Sequence, residues 1–334
     1  TLRLLLPVAA SICNDVDVDA KGRLPDRPLE PMLGEMKAHG VTFSQDKPPF
    51  TMTGRLQGGN FSMVGDVSSQ FFSGLLLAAP QIGLSTITAT TPLQSSDYVT
   101  LTTETMRDFG VEVKHTLPST NINEAFTVPF GASFIGRDNY QIEGDWSNAA
   151  IWMVAAGMTG KPITITGMNK NSVQADRRII QVMIDAGCDV VWDGMNITVT
   201  GRASKPIHVD LEQMPDMLPV MAALACSISG ESSFIKGARL RLKESDRLIA
   251  VANLVRDLGG TVREEGDDLY IIGSGILKGG HGDCVNDHRL VMAGTLMALI
   301  SENPVTLKDS EAITKSYPDF FEDWNLLGGD AHGI

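Results

Sequence analysis

Basic residues are in short supply: 27 Lys and Arg stand against 40 Asp and Glu, a formal net charge of −13. That balance excludes a broad electrostatic footprint for polyanions, so no nucleic acid partner is expected. A small anionic ligand is not excluded, because a few convergent Lys and Arg side chains in a low-dielectric cleft outweigh a distant acidic exterior. Cysteine is scarce too. Cys13, Cys188, Cys226 and Cys284 are far apart and show neither a paired spacing nor a zinc-ligand pattern, which points to a reducing compartment and to no metal site. No apolar run reaches the roughly 18–20 residues of a membrane span, and no membrane contact is expected. The Gly-rich run Lys278-Gly279-Gly280-His281-Gly282 lacks the following Lys-Ser or Lys-Thr of a phosphate loop. The 15 methionines, among them Met153, Met158 and Met217, sit in apolar helical surroundings and read as packing.

What is present is enough apolar sequence, 43% of 334 residues, for one large core or two smaller ones. It is organised as a repeat. Gly65-Asp66, Gly144-Asp145, Pro215-Asp216 and Asn286-Asp287 each precede an apolar helical run, and the aspartates are 79, 71 and 71 residues apart. Three runs end near Gly83, Gly160 and Gly230, where left-handed C-caps are expected, and a β-branched strand such as Ile163-Thr164-Ile165-Thr166 follows. A second helix opens at Gln174-Ala175-Asp176-Arg177 or Glu244-Ser245-Asp246-Arg247 and closes at Gly187 or Gly259-Gly260 before two short strands. The unit reads β-α-β-α-β-β. A partial copy precedes the others, with an apolar helix over Thr1–Ala10, a helix from about Arg27-Pro28-Leu29 to Gly40, and strands near Val41–Phe43 and Phe50–Thr53. The expectation is an α/β fold of two similar domains, residues 1–143 and 144–334, with the first incomplete and the sequence a piece of a longer protein.

Chemistry concentrates where helices begin, because free N–H groups there attract anions. Lys243-Glu244-Ser245-Asp246-Arg247 sets two cations four residues apart beside a carboxylate, on one face if the helix already includes Lys243; a solvated helix start with salt bridges explains the same pattern. Asn286-Asp287-His288-Arg289 opens the next copy, with Asp287 either an N-cap or a chemical group and His288 either packed or functional. Lys315-Ser316-Tyr317-Pro318-Asp319 and Arg23-Leu24-Pro25-Asp26-Arg27-Pro28 are further basic turns. Gly65-Asp66-Val67-Ser68-Ser69-Gln70 offers more hydroxyl and amide groups than capping needs, and Asp216 after Pro215 is a cap or more.

In this order, Ser68-Ser69-Gln70, Glu143-Gly144-Asp145, Pro215-Asp216, Lys243 to Arg247, Asn286 to Arg289 and Lys315 to Asp319 resemble the shikimate-pathway enolpyruvyl transferases, the 5-enolpyruvylshikimate-3-phosphate synthase family, over the whole chain. The resemblance implies two similar domains that close on the active site. It also implies addition–elimination that moves the enolpyruvyl group of phosphoenolpyruvate to the 5-hydroxyl of shikimate 3-phosphate, with release of phosphate and no cofactor. Carried over by motif, Ser68, Ser69, Gln70, Ser95, Tyr98, Asp216 and Lys243 hold shikimate 3-phosphate. Arg23, Gln70, Arg247, Arg289 and Lys315 hold phosphoenolpyruvate, arginine suiting paired contacts to carboxylate or phosphate oxygens. Asp216 and Glu244 are the catalytic carboxylates, with Arg3, Asp145 and His288 in support. A cytoplasmic location is implied, a plastid being the alternative.

The chain departs from the pattern at Arg239, where the family has Asn, and at Ser96-Asp97 before Tyr98. The family's Lys-Ser pair and its Asn-Ser/Ala-Gly-Thr loop precede or end at Thr1, leaving only Thr1 and Arg3 of that region, so a complementing N-terminal fragment is an expected partner. Two other readings stand beside this one. The first is a non-catalytic or complementation-dependent fragment. The second is the enolpyruvyl transferase acting on UDP-N-acetylglucosamine, whose reactive cysteine has no counterpart between Lys21 and Arg27.

Overall fold

The computed structural model describes residues 1–22, 24–120, 123–212 and 214–333. The chain forms two compact units, Thr1–Gln141 with Val173–Ala175, and Ile142–Ser172 with Asp176–Ile334. Both are built on the repeat. Strands Asn60–Met63, Ser85–Ala89, Glu124–Val128 and Lys114–Thr116 form one four-stranded sheet in that spatial order. Strands His208–Asp210, Gly230–Ile235, Asp268–Gly273 and Thr261–Glu265 form another with the same connectivity. In each sheet the first two strands are parallel and joined through a buried helix, and the remaining pairs are antiparallel. Two three-stranded sheets repeat the arrangement without an opening strand, Asp15–Val18 with Phe50–Gly54 and Val41–Phe43, and Ile163–Ile165 with Asn196–Thr200 and Asp189–Asp193. The last copy keeps only a parallel pair, Gly280–Asp283 with Val305–Lys308.

In the first unit the helices Leu2–Ile12 and Ser69–Ile82 cross closely, burying Leu6, Ala10, Phe71, Phe72, Leu75 and Leu76. The approach needs Gly74, where an added Cβ would lie 2.5 Å from the Arg3 carbonyl oxygen. In the second unit the helices Trp146–Thr159, Leu218–Ser227 and His288–Ala298 pack on one another and are apolar on nearly every side, as a helix at the centre of a core must be.

Several boundaries differ from the sequence reading. The helix expected from Arg27 is Met32–Ala38, since Pro28 and Pro31 withhold N–H groups and fix the chain before it; a 3-10 turn, Leu24–Asp26, lies ahead. A left-handed C-cap occurs at Gly160 (φ 72°, ψ 3°). It does not occur at Gly83 (ψ −161°), and Gly230 already opens a strand after a helix that ended at Ser227.

Candidate active site

In both units the singled-out residues follow the carboxyl ends of parallel strands, the end at which open α/β sheets bind ligands. Asp216 comes after His208–Asp210 and Lys243 after Gly230–Ile235. Asp287 to Arg289 come after Gly280–Asp283, and Lys315 after Val305–Lys308. The repeat therefore delivers four chain segments to one rim.

There, Arg247 is the hub. Its Nε donates to Asp287 Oδ2 (2.7 Å) and its Nη2 to Asp287 Oδ1 (3.2 Å), while Nη1 donates to Asp216 Oδ1. Lys243 Nζ lies 3.2 Å from Asp216 Oδ1, and Arg289 Nη1 donates to the Asp216 carbonyl (3.3 Å). Ser245 Oγ adds a hydrogen bond to Asp287 Oδ2 (3.0 Å), and His288 Nδ1 lies 3.1 Å from Glu244 Oε2. Burial works against charge on Asp216, but Lys243, Arg289 and Arg247 outweigh it and hold the carboxyl well below the usual range. Asp287 is likewise held low: burial opposes its charge, and Arg247 more than compensates. Glu244 is lowered against its own burial chiefly by the His288 hydrogen bond. Burial lowers the Lys243 ammonium, with Asp216 opposing.

Lys243 does not share a helical face with Arg247. The helix runs Arg247–Asp257, capped by Asp246, whose carboxylate accepts from Ile249 N (3.3 Å). Lys243 is extended after the 3-10 turn Ala238–Leu242, and both cations converge because both meet Asp216. Asp287 is both an N-cap, accepting from Arg289 N (3.0 Å), and the fully buried partner of Arg247. The turn before it holds Val285 and Asn286 at φ 43° and 56°, a strained conformation for a β-branched residue. Lys315 fastens that turn by donating to the Asn286 carbonyl and to Asn286 Oδ1 (2.9 Å). Its own segment is anchored by Tyr317, Phe320 and Trp324, which pack edge-on or tilted around Trp152. Asp145 caps the helix Trp146–Thr159 by accepting from Ser147 N (2.8 Å).

In the first unit, Ser68 rather than Asp66 caps the helix Ser69–Ile82, accepting from Gln70 N (3.3 Å). Arg3 reinforces it, donating to Ser68 Oγ (3.2 Å) and to the Pro28 carbonyl (2.7 Å), with its guanidinium 5.1 Å from the Phe71 ring centroid. Gly65 N donates to Thr91 Oγ1 (2.8 Å) and Gln94 N to the Gly65 carbonyl (3.0 Å), which ties the loop carrying Ser68, Ser69 and Gln70 to the one carrying Ser95 and Tyr98. Ser95, buried, takes a left-handed conformation (φ 53°) before the helix Ser96–Asp108. Arg23 lies outside the described residues.

The sequence reading gave Ser245 and Asn286 no role of their own, although both lie in its motifs; a short polar residue beside a basic one was the available signal. Glu244, Asp287 and His288 bring three potential metal ligands within 4.8 Å of one another. Their oxygen and nitrogen atoms are already engaged with Arg247 and with each other, so this set fits a charge network better than a cation site.

A family model described as EPSP synthase (3-phosphoshikimate 1-carboxyvinyltransferase) matches residues 1–324. The 3-phosphoshikimate 1-carboxyvinyltransferase of Clostridium kluyveri is 37% identical over 333 residues, covering 99% of this chain and 76% of the relative. That of Methanocorpusculum labreanum is 34% identical, covering 99% and 77%. Among solved structures, EPSP synthase from Acinetobacter baumannii superposes with a TM-score of 0.77 at 24% identity, over 97% of this chain and 76% of that one. The enolpyruvyl transferase NikO from Streptomyces tendae gives 0.73 at 19%, over 98% and 75%. At those identities the two structures speak for the fold.

Proposed function

The chain belongs to the EPSP synthase (3-phosphoshikimate 1-carboxyvinyltransferase) family, an enolpyruvyl transferase of the shikimate pathway, and from that premise we propose how its residues divide the reaction. The observation that carries the proposal is the Asp216 carboxylate set among Lys243, Arg247 and Arg289. Arg247 is shared with the buried Asp287, but Lys243 meets Asp216 at 3.2 Å and Arg289 meets only its carbonyl, and these two cations suit the phosphate and carboxylate groups of the two substrates. Asp216, held ionised, accepts the proton of the acceptor's 5-hydroxyl. Glu244, with His288 behind it, delivers a proton to the donor methylene and takes one back from the methyl group when phosphate leaves. An anion arriving beside Glu244 raises its affinity for that proton.

Residues 1–143, through Ser68, Ser69, Gln70, Ser95 and Tyr98, contribute acceptor contacts, and residues 144–334 contribute donor binding and proton transfer, with Lys243 serving the acceptor. Arg23, Arg247, Arg289 and Lys315 form the donor clamp. We place the reaction in the cytoplasm, where phosphorylated substrates of this kind are retained. The match of the family model over residues 1–324 disfavours both the non-catalytic reading and the UDP-N-acetylglucosamine reading.

The test is phosphate release with shikimate 3-phosphate and phosphoenolpyruvate, run with and without an added segment carrying the family's N-terminal Lys-Ser pair. Release that needs both substrates and vanishes in Asp216→Asn supports the division. Release surviving that substitution, or unchanged shikimate 3-phosphate affinity in Lys243→Ala, sinks it.

A further inference from the structure

Asp176 and Asp246 hold equivalent places in two copies of the repeat, each just ahead of the second helix. Asp246 caps its helix and pairs with Arg241. Asp176 does neither. It lies in the 3-10 turn Ala175–Arg178 that leads into Ile179–Asp185, it is 5% exposed, and its Oδ1 is buried with no hydrogen-bond partner among the described residues. An unpartnered buried carboxyl oxygen is costly, and one kept in a native structure calls for a reason such as a bound ion, a water or a chemical role.

The charged groups that act on Asp176 come from four other elements. They are Arg289 in the helix His288–Ala298, Asp216 in the 3-10 turn Pro215–Met217, Asp145 at the start of Trp146–Thr159, and Lys243 after Ala238–Leu242. Arg177 and Arg178 follow on its own turn. Asp176 thus belongs to the anion site, yet no ion pair joins it to Arg289 or Lys243 among the described residues.

We propose that Asp176 serves the anion site as a protonated carboxyl, taking a proton from solvent as the substrate anions reach Arg289 and Lys243 and donating a hydrogen bond to them from the oxygen that is otherwise unpartnered. The inference rests on the function reading above. Burial, the main cause, raises this carboxyl to about 7, with Asp216 and Asp145 adding to the rise and Arg289 and Lys243 opposing it. Ligand anions that occupy those two cations remove the opposing effect, so the bound site favours the proton further. Above neutral pH binding then requires proton uptake, whereas an ionised Asp176 repels the incoming anions.

Calorimetry of shikimate 3-phosphate and phosphoenolpyruvate binding to the full chain, in buffers of different ionisation enthalpy, counts the protons. At pH 8 the wild type is expected to take up about one more proton than Asp176→Asn, and the affinity of wild type relative to that variant is expected to fall about tenfold from pH 6 to pH 8. Comparing the two chains cancels the titration of the ligands themselves. Should the variant fold poorly, the wild type is read at pH 8 alone, where phosphate monoesters with a second pKa of about 6 are already dianionic, and absence of proton uptake there overturns the proposal. Equal proton counts, or a relative affinity flat with pH, overturn the proposal even if the variant is less stable. Failure of the wild type to bind either substrate overturns the function reading and this inference with it, an outcome distinct from binding without proton uptake.

Discussion

Arg247 and Asp287 form a two-pronged ion pair in the interior of the second unit, with the arginine 2% and the aspartate 0% exposed. The same guanidinium reaches Asp216, so one buried cation joins the cap of one repeat copy to the carboxylate proposed as the base in another. Removing only the cation leaves two acids short of charge in a low dielectric. Arg247→Ala is expected to cost about 3–5 kcal/mol in urea unfolding, and replacing Arg247 and Asp287 together by apolar residues of similar volume much less. Equal losses would mean that the pair is solvated and weak.

The first unit has its own coupling between packing and site. Ser68→Ala removes a helix cap and is expected to cost about 0.5–2 kcal/mol. Gly74→Ala pushes a Cβ against the Arg3 carbonyl, whose side chain holds Ser68. It is expected to cost about 1–3 kcal/mol and to weaken shikimate 3-phosphate binding without touching the ligand. Calorimetric binding set beside thermal unfolding separates the two effects.

The repeat was legible because its aspartates recur at nearly constant spacing and cap or neighbour helix starts, and Asp145 and Asp287 do cap theirs. Elements set by backbone detail were not legible. Pro28 and Pro31 delay the helix expected from Arg27, and which hydroxyl of the Gly65–Gln70 segment caps its helix, Ser68, emerged only from the backbone. The site residues were named from motif, but their geometry was not: Lys243 meets Arg247 across Asp216 through an extended segment, a relation that helical spacing cannot express. Asp176 and Asp246 stood alike in the sequence, each in a polar cluster at the start of a second helix, because sequence does not reveal whether a buried oxygen finds a partner.

Asp176 and Asp216 are displaced in opposite directions, so their effects on stability have opposite signs. Asp216 and Asp287, lowered in the folded state, contribute stability that is present above the unfolded carboxyl value of about 4 and is lost as pH falls through their folded values. Asp176, raised to about 7, makes the folded state bind a proton that the unfolded chain has released. Stability therefore declines as pH rises from about 4 to 7, by at most about 1.4 kcal/mol per pH unit. Urea unfolding of Asp176→Asn is expected to lose that decline. A decline identical to the wild type would place its origin elsewhere.

The low value of Asp216 depends on Lys243 above the other cations. Lys243→Met removes that influence, so the carboxyl rises toward its ordinary value. The acid limb of the pH–rate profile, if Asp216 must be ionised, moves to higher pH. Reading kcat at saturating substrate keeps lost affinity out of the comparison. An acid limb that stays in place would remove Asp216 as the base.

Glu244 and His288 are separable by isotope. If Glu244 carries the proton to the donor methylene and back, turnover in deuterium oxide places deuterium in the enolpyruvyl methylene of the product, because the methyl group formed on addition holds one solvent-derived hydrogen among three. Glu244→Gln is expected to abolish both turnover and exchange, since an amide cannot deliver that proton. His288→Ala leaves the carboxylate in place but removes the hydrogen bond that lowers its pKa, so exchange should persist at a reduced rate while its pH dependence moves to higher pH. Mass spectrometry of the product reads both. Full exchange in Glu244→Gln would pass the proton transfer to another acid of the same cluster, and an unmoved profile in His288→Ala would make the histidine a packing residue.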